Sequence, residues 1–270
     1  MAKSTLDVTT ALLKHKKMCH GSDFFGFGPS VFINDQSVGI ILEVDIGDNK
    51  KIYICDLKTH GYPSKNFVDT YHLLGGSWIN PNHKTPFDVM KTELTEEIGN
   101  AKLVKAIVDQ MHPFADYIIS VPKKVHGNNN HSADFHITVS SIFISSLAKH
   151  QIEQALDVSL AGSSENIVKK LFILLKPIFN ESEPGIFAIQ DIQGGKCKRF
   201  CWGHDIVLSD YFYENYNVRV TVPGFVGIIT DRMISSPSTP FADRLETKHT
   251  RLNPLKLGLI DDDFSYKPET

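Results

Sequence analysis

The stretch Gly75–Gly99, GGSWINPNHKTPFDVMKTELTEEIG, sets a double glycine ahead of a segment patterned as an acidic helix. Thr85 suits the N-cap and Pro86 the first helical position, where its missing N–H costs nothing. Asp88, at the third helical position, completes an acidic capping box, and Gly99 supplies the stop. Phe87, Met90, Leu94 and Ile98 recur at helical spacing and are expected to form the buried stripe. Glu93, Glu96 and Glu97, spaced i, i+3 and i+4, then project from one arc of about 100° beside that stripe. Like charges this close weaken a helix unless something neutralises them. Carboxylates without His or Cys suit a hard cation, Mg²⁺ or Mn²⁺, held at the edge of the core. For ELTEEIG alone, a solvated acidic face is the plainer alternative.

The segment resembles the Nudix box, the loop–helix motif of hydrolases that cleave nucleoside diphosphates linked to another group. Gly76 matches the motif's glycine, Glu93-Leu94-Thr95-Glu96-Glu97-Ile98-Gly99 its helical half, and Leu74-Gly75-Gly76 the strand end before it. Four features depart from the pattern. The loop from Ser77 to Asn82 is longer, Lys84 stands at a glutamate position, Thr92 at an arginine position, and Asn100 at an apolar one. In the family that glutamate and arginine pair, so losing both removes a brace without orphaning a charge. The resemblance implies a Nudix-like α/β/α sandwich with a mixed sheet. It also implies Glu93, Glu96 and Glu97 as ligands of Mg²⁺ or Mn²⁺, with Glu96 and Glu97 in the catalytic set. Gly75 and Gly76 are then the loop whose backbone approaches phosphate oxygens. A general base is wanted as well. Glu183 is the first choice, with Asp134 and Glu153 behind it, each weighed against being an ordinary surface acid.

A later segment carries a second likeness. Gly185–Ile192 resembles the family's late strand, and Trp202-Gly203-His204-Asp205-Ile206-Val207-Leu208 the start of the helix after it. Working outward, residues 1–29 read as a helix (Leu6 to Lys17) and a connector, and residues 30–215 as the Nudix-like domain. Expected strands are Ser30–Asn34, Val38–Asp45, Lys51–Leu57, Thr70–Leu74, Leu103–Val108, Tyr117–Val121 and Phe135–Leu147. Gly47-Asp48-Asn49 should turn a hairpin. Helices over Leu147–Val158 and Ser164–Phe179 would make residues 147–182 a helical insertion. Residues 216–270 read as a C-terminal extension.

Composition excludes some classes. A chain of 270 residues with 41% hydrophobic content can bury a full core. A net charge of -3 gives no bulk attraction to nucleic acid or anionic membranes. No apolar run reaches the length of a membrane span. Four cysteines in this length suggest a reducing compartment, the cytoplasm, rather than a disulfide framework. Cys197, Cys201 and His204 have loosely zinc-like spacing without an evident fourth ligand. Trp78, Phe114, Tyr117 and Phe135 are candidates to stack on a base, each weighed against a place in the core. The expected partner is a nucleotide-derived small molecule, with a homodimer possible. A Nudix-fold module that binds a nucleotide or a protein without catalysis is the alternative, and Lys84, Thr92 and the longer loop favour it.

Overall fold

The computed structural model describes residues 33–60, 62, 64–77, 85–126 and 135–233. Among these, seven strands form one mixed sheet in the order β3-β2-β1-β5-β4-β7, with β6 also paired to β2. The strands are β1 (Ile33–Gly47), β2 (Lys50–Lys58), β3 (Thr70–His72), β4 (His112–Pro122), β5 (Phe135–Ala148), β6 (Glu183–Phe187) and β7 (Ile229–Met233). Only β1 and β5 run parallel; the other pairs are antiparallel. Gly47, Asp48 and Asn49 all have positive φ and turn β1 into β2, as their types allow.

Alternation along β1 divides the core. Val38, Ile40, Leu42 and Val44 face one helical layer, while Ile41 faces the other with Tyr53 and Cys55 of β2. The first layer holds α1 (Pro86–Glu97), α2 (Ala101–Asp109), α4 (Lys149–Leu156) and α5 (Ser164–Leu175); a short α3 (Lys123–His126) follows β4. Met90 and Leu94 of α1 are fully enclosed, each contributing about 1.5–3 kcal/mol by burial. The second layer is α6 (Ile189–Gln193) and α7 (His204–Tyr216), which sends Val207, Leu208 and Tyr211 into the sheet. Buried Glu43 of β1 ties this layer down, accepting hydrogen bonds from Tyr53, Tyr211, Tyr216 and Lys51. The result is an α/β/α sandwich with a mixed sheet.

Several elements differ from the sequence expectation. Leu103–Val108 is not a strand but the body of α2. The Asn100 side chain caps that helix by accepting from Leu103 N–H, and Leu103, Val104 and Ile107 form its buried face. Ser30–Asn34 and Val38–Asp45 are not two strands: one continuous strand begins at Ile33. The late strand stops at Phe187, and α6 begins at Ile189. Pro177 ends α5 in a 3-10 turn at Lys176–Ile178, short of Phe179. Phe87 is 37% exposed, and Val89 takes its place in the stripe. The sheet also continues past residue 215, because β7 pairs with β4 from Ser120 to Asp116. The helix expected over Leu6–Lys17 lies outside the described residues. No helix among the described residues is long and apolar enough to cross a membrane.

Candidate functional site

The double glycine leaves β3 and runs along β1. Val38 N–H donates to Gly76 O, and Ile40 N–H to Leu74 O, both at 2.9 Å. Gly75 has φ +140°, and a Cβ there would stand 2.2 Å from Val38 O. A Cβ on Gly76 would stand 2.0 Å from Glu93 Oε2. Gly75 therefore requires glycine because of the β1 backbone, whereas at Gly76 a Cβ would displace the tip of the Glu93 side chain. The helix starts as expected: Thr85 Oγ1 accepts from Asp88 N–H, and Asp88 Oδ2 accepts from Thr85 N–H.

The far end of α1 is clasped by a segment distant in sequence. Asn180 Nδ2 donates to Glu96 O at 2.7 Å, Asn180 N–H to Glu97 O at 2.9 Å, and Gly99 N–H to Ile178 O at 2.7 Å. These bonds satisfy carbonyls that the helix leaves open at its terminus. They also bring Glu181 and Ser182 to the glutamates.

A cleft of about 240 Å³ opens between the glycine loop, α1 and the edge of the sheet. Glu93, Glu97, Glu181, Lys58, His72, His204, Tyr62 and Trp202 are among the residues that line it. Behind the carboxylates lies buried Asp56, which accepts from Ser182 Oγ at 2.6 Å and from Lys58 Nζ at 3.2 Å. Trp202 Nε1 donates to Tyr62 Oη at 2.9 Å, joining the two rings into one wall. Trp202 holds φ +56° and Gly203 φ +70°, a left-handed step that turns the chain into α7.

The electrostatics show a shortage of positive charge. Burial, then Glu96 and Glu181, pushes Glu93 up to about 7, against the pull of Lys58. Burial and neighbouring Asp56 push Glu97 well above the carboxylate range, although Lys58 and the Gly75 N–H oppose the shift. Burial works against charging Lys58, but Asp56 and Glu97 outweigh it and raise its pKa. Burial and Lys58 push His204 down to about 3, and its Nδ1 accepts from Leu73 N–H. His72 is held neutral in the same way, with its ring 4.6 Å from that of His204.

Of the residues singled out by sequence, Glu93, Glu97, Gly75 and Gly76 come together at the cleft. Glu96 does not: it is exposed and reaches the site only through its charge on Glu93. Glu183 is also elsewhere, beginning β6 opposite Leu57 and paired with Lys176 at 2.9 Å. Glu153 is engaged by Leu160 N–H at 2.6 Å. Thr92 lies on α1 with its hydroxyl donating to Asp88 O. Phe114 and Tyr117 belong to the other layer, where Phe114 meets Arg232 and Tyr117 Oη meets Asp210. Lys84, Asp134, Trp78 and the side chain of Phe135 lie outside the described residues. The residues missed were Asp56, Lys58, Glu181, Tyr62 and Trp202. Glu181, which lines the cleft, stands two positions before Glu183, which does not.

The donor set suits a hard cation in kind, since three glutamates line the cleft and burial resists the ionisation of Glu93 and Glu97. The carboxylates are not drawn in upon a single point. Among the described residues no group of three or more His, Cys, Asp or Glu side chains is placed to hold a metal ion.

Comparison with solved structures gives a family likeness. The NUDIX domain of Shewanella oneidensis NrtR, solved with ADP ribose, aligns over 74% of this chain and 97% of its own, at 11% identity and a TM-score of 0.38. A mutT/nudix family protein from Listeria innocua aligns over 68% and 95%, at 14% identity and a TM-score of 0.39. A bifunctional NMN adenylyltransferase/ADP ribose pyrophosphatase from Francisella tularensis, solved with AMP and a Mn ion, aligns over 79% of this chain and 47% of its own, at 11% identity and a TM-score of 0.40. No protein-family model matches the sequence, and no curated protein matches it. Likenesses this distant leave the activity to be argued from the side chains of the cleft.

Proposed function

We propose that the chain is a Mg²⁺- or Mn²⁺-dependent hydrolase of the diphosphate linkage in a nucleoside diphosphate joined to another group. The observation that carries this reading is one cleft in which Glu93 and Glu97 resist ionisation beside a glycine loop bonded to Glu97. Glu93 and Glu97 hold the cation, and Glu96 joins them by turning its side chain inward. A divalent ion there would offset the phosphate charge and acidify a bound water. Gly76, lacking a Cβ, lets the substrate's oxygens approach the backbone. Glu181 takes the role of general base first assigned to Glu183, because it lines the cleft and Glu183 does not. Trp202 and Tyr62, which also line the cleft, receive the flat base. The three cysteines among the described residues are unpaired, which supports a cytoplasmic setting.

A second reading is a nucleotide- or protein-binding module with impaired catalysis. It is favoured by Glu96 standing outside the cleft and by Lys58 standing among the carboxylates. A Mg²⁺-dependent phosphate-release screen over nucleotide conjugates, run on wild type and Glu97→Gln, separates the two. Turnover that needs the metal and vanishes in the variant supports the hydrolase. Metal-indifferent binding without turnover overturns it.

A further inference from the structure

We propose that Lys58 is a tethered counter-ion, which holds the carboxylates of the cleft while no divalent cation is bound and competes with that cation for them. This rests on reading the cleft as a metal-dependent site.

Lys58 ends β2, two residues after Asp56, so both side chains leave the same face of the strand. Its ammonium lies 3.2 Å from Asp56 Oδ2, with the two side chains 15% and 1% exposed. Contrast the ion pair Lys105–Asp109, exposed 73% and 53% and therefore weakly held. Lys58 is the only lysine or arginine among the described residues lining the cleft. It pairs with Asp56 and shares the cleft lining with Glu97 and Glu93, and both glutamates feel its charge.

A pair this shielded is poorly screened by water or salt. Removing one partner would leave the other's charge uncompensated. A divalent ion entering beside Glu93 and Glu97, in the cleft that Lys58 also lines, must therefore displace the ammonium or bear its repulsion. A seat for the displaced ammonium is at hand, since Nζ already lies 5.3 Å from the centre of the Tyr62 ring. Independently, Nδ1 of His72, on the wall of the same cleft, is buried with no hydrogen-bond partner among the described residues. A buried polar atom left without a partner is costly, and it points to a cleft completed by a ligand. Apo-state assembly around Lys58 and metal entry are thus opposing demands on one ammonium.

The test is Mn²⁺ titration by calorimetry into the full chain: wild type, Lys58→Met, Lys58→Arg and Glu97→Gln, with a thermal melt of each. Losing a positive charge beside the ion should tighten Mn²⁺ binding about tenfold or more in Lys58→Met, while Lys58→Arg stays within about twofold of wild type. If Lys58→Met does not fold, Lys58→Gln is read in the same way. Unchanged or weaker binding in the neutral variants, with Glu97→Gln still abolishing it, overturns the counter-ion alone. Absence of Mn²⁺ binding in every variant overturns both the counter-ion and the hydrolase reading. Tighter binding in Lys58→Met without turnover in any form supports the counter-ion and overturns the hydrolase.

Discussion

The backbone N–H of Gly75 donates to Oε2 of Glu97 across 2.9 Å, so the glycine loop and the acidic helix are joined at a carboxyl whose ionisation burial and Asp56 oppose. Loop position and carboxylate position are therefore a single variable.

The two glycines should fail differently. Gly75→Ala meets the backbone of Val38 at φ +140° and is expected to cost more than about 1 kcal/mol, read by urea denaturation. In Gly76→Ala the new methyl meets the tip of Glu93, which can swing away. That variant should keep most of its stability yet lose Mn²⁺ affinity in calorimetry.

The metal-free protein should lose stability as pH rises. Glu93 binds its proton up to about 7 when folded but releases it near the ordinary carboxylate value of 4.5 when unfolded. Its contribution is complete below about 4.5 and gone above about 7, because the folded state binds the extra proton in between. Asp205, raised by burial to about 7, adds a similar decline. Melting temperatures across this window should fall less steeply in Glu93→Gln, and less steeply in wild type with Mg²⁺. A slope that neither change alters would contradict the assignment.

Removing the cap tests the helix without touching the cleft. Thr85→Ala deletes the capping box and should cost about 1 kcal/mol in chemical denaturation.

Glu181 and Glu183 provide a paired test of the base. Glu181→Gln is expected to lower kcat about 10²- to 10⁴-fold, with Mn²⁺ affinity little changed. Glu183→Gln, which breaks only the exposed pair with Lys176, should leave kcat near wild type and change stability by about 0.5 kcal/mol or less. The reverse pattern would return the role to Glu183.

The aromatic wall has its own readout. Trp202→Leu should raise KM for nucleotide conjugates severalfold, while KM for inorganic pyrophosphate stays put, because only the former offers a ring to stack. Equal shifts for both substrates would assign Trp202 to packing against Phe67, whose ring centre is 5.2 Å away.

What the sequence made legible was local. Thr85, Pro86 and Asp88 start α1 through contacts within one turn, and Gly75 and Gly76 mark tight approaches, the first to backbone and the second to the tip of Glu93. Leu103–Val108 misled because LVKAIV carries the β-branched content of a strand, and the deciding Asn100 cap sits ahead of it. Lys58 and Glu181 were invisible for a different reason. One closes a strand and the other follows a helix far along the chain, so only the assembled sheet and the Asn180 contacts place them together.

The clasp at Asn180 has a consequence for how such a chain can vary. Because its bond to Glu96 O closes a circuit over 84 positions, the helices strung along that circuit can lengthen or shorten with only a slow entropic penalty for the wider loop. Grafts between Lys149 and Leu175 that spare their packing against the sheet should leave the geometry of the cleft undisturbed. A single change at Asn180 would loosen it from the far side.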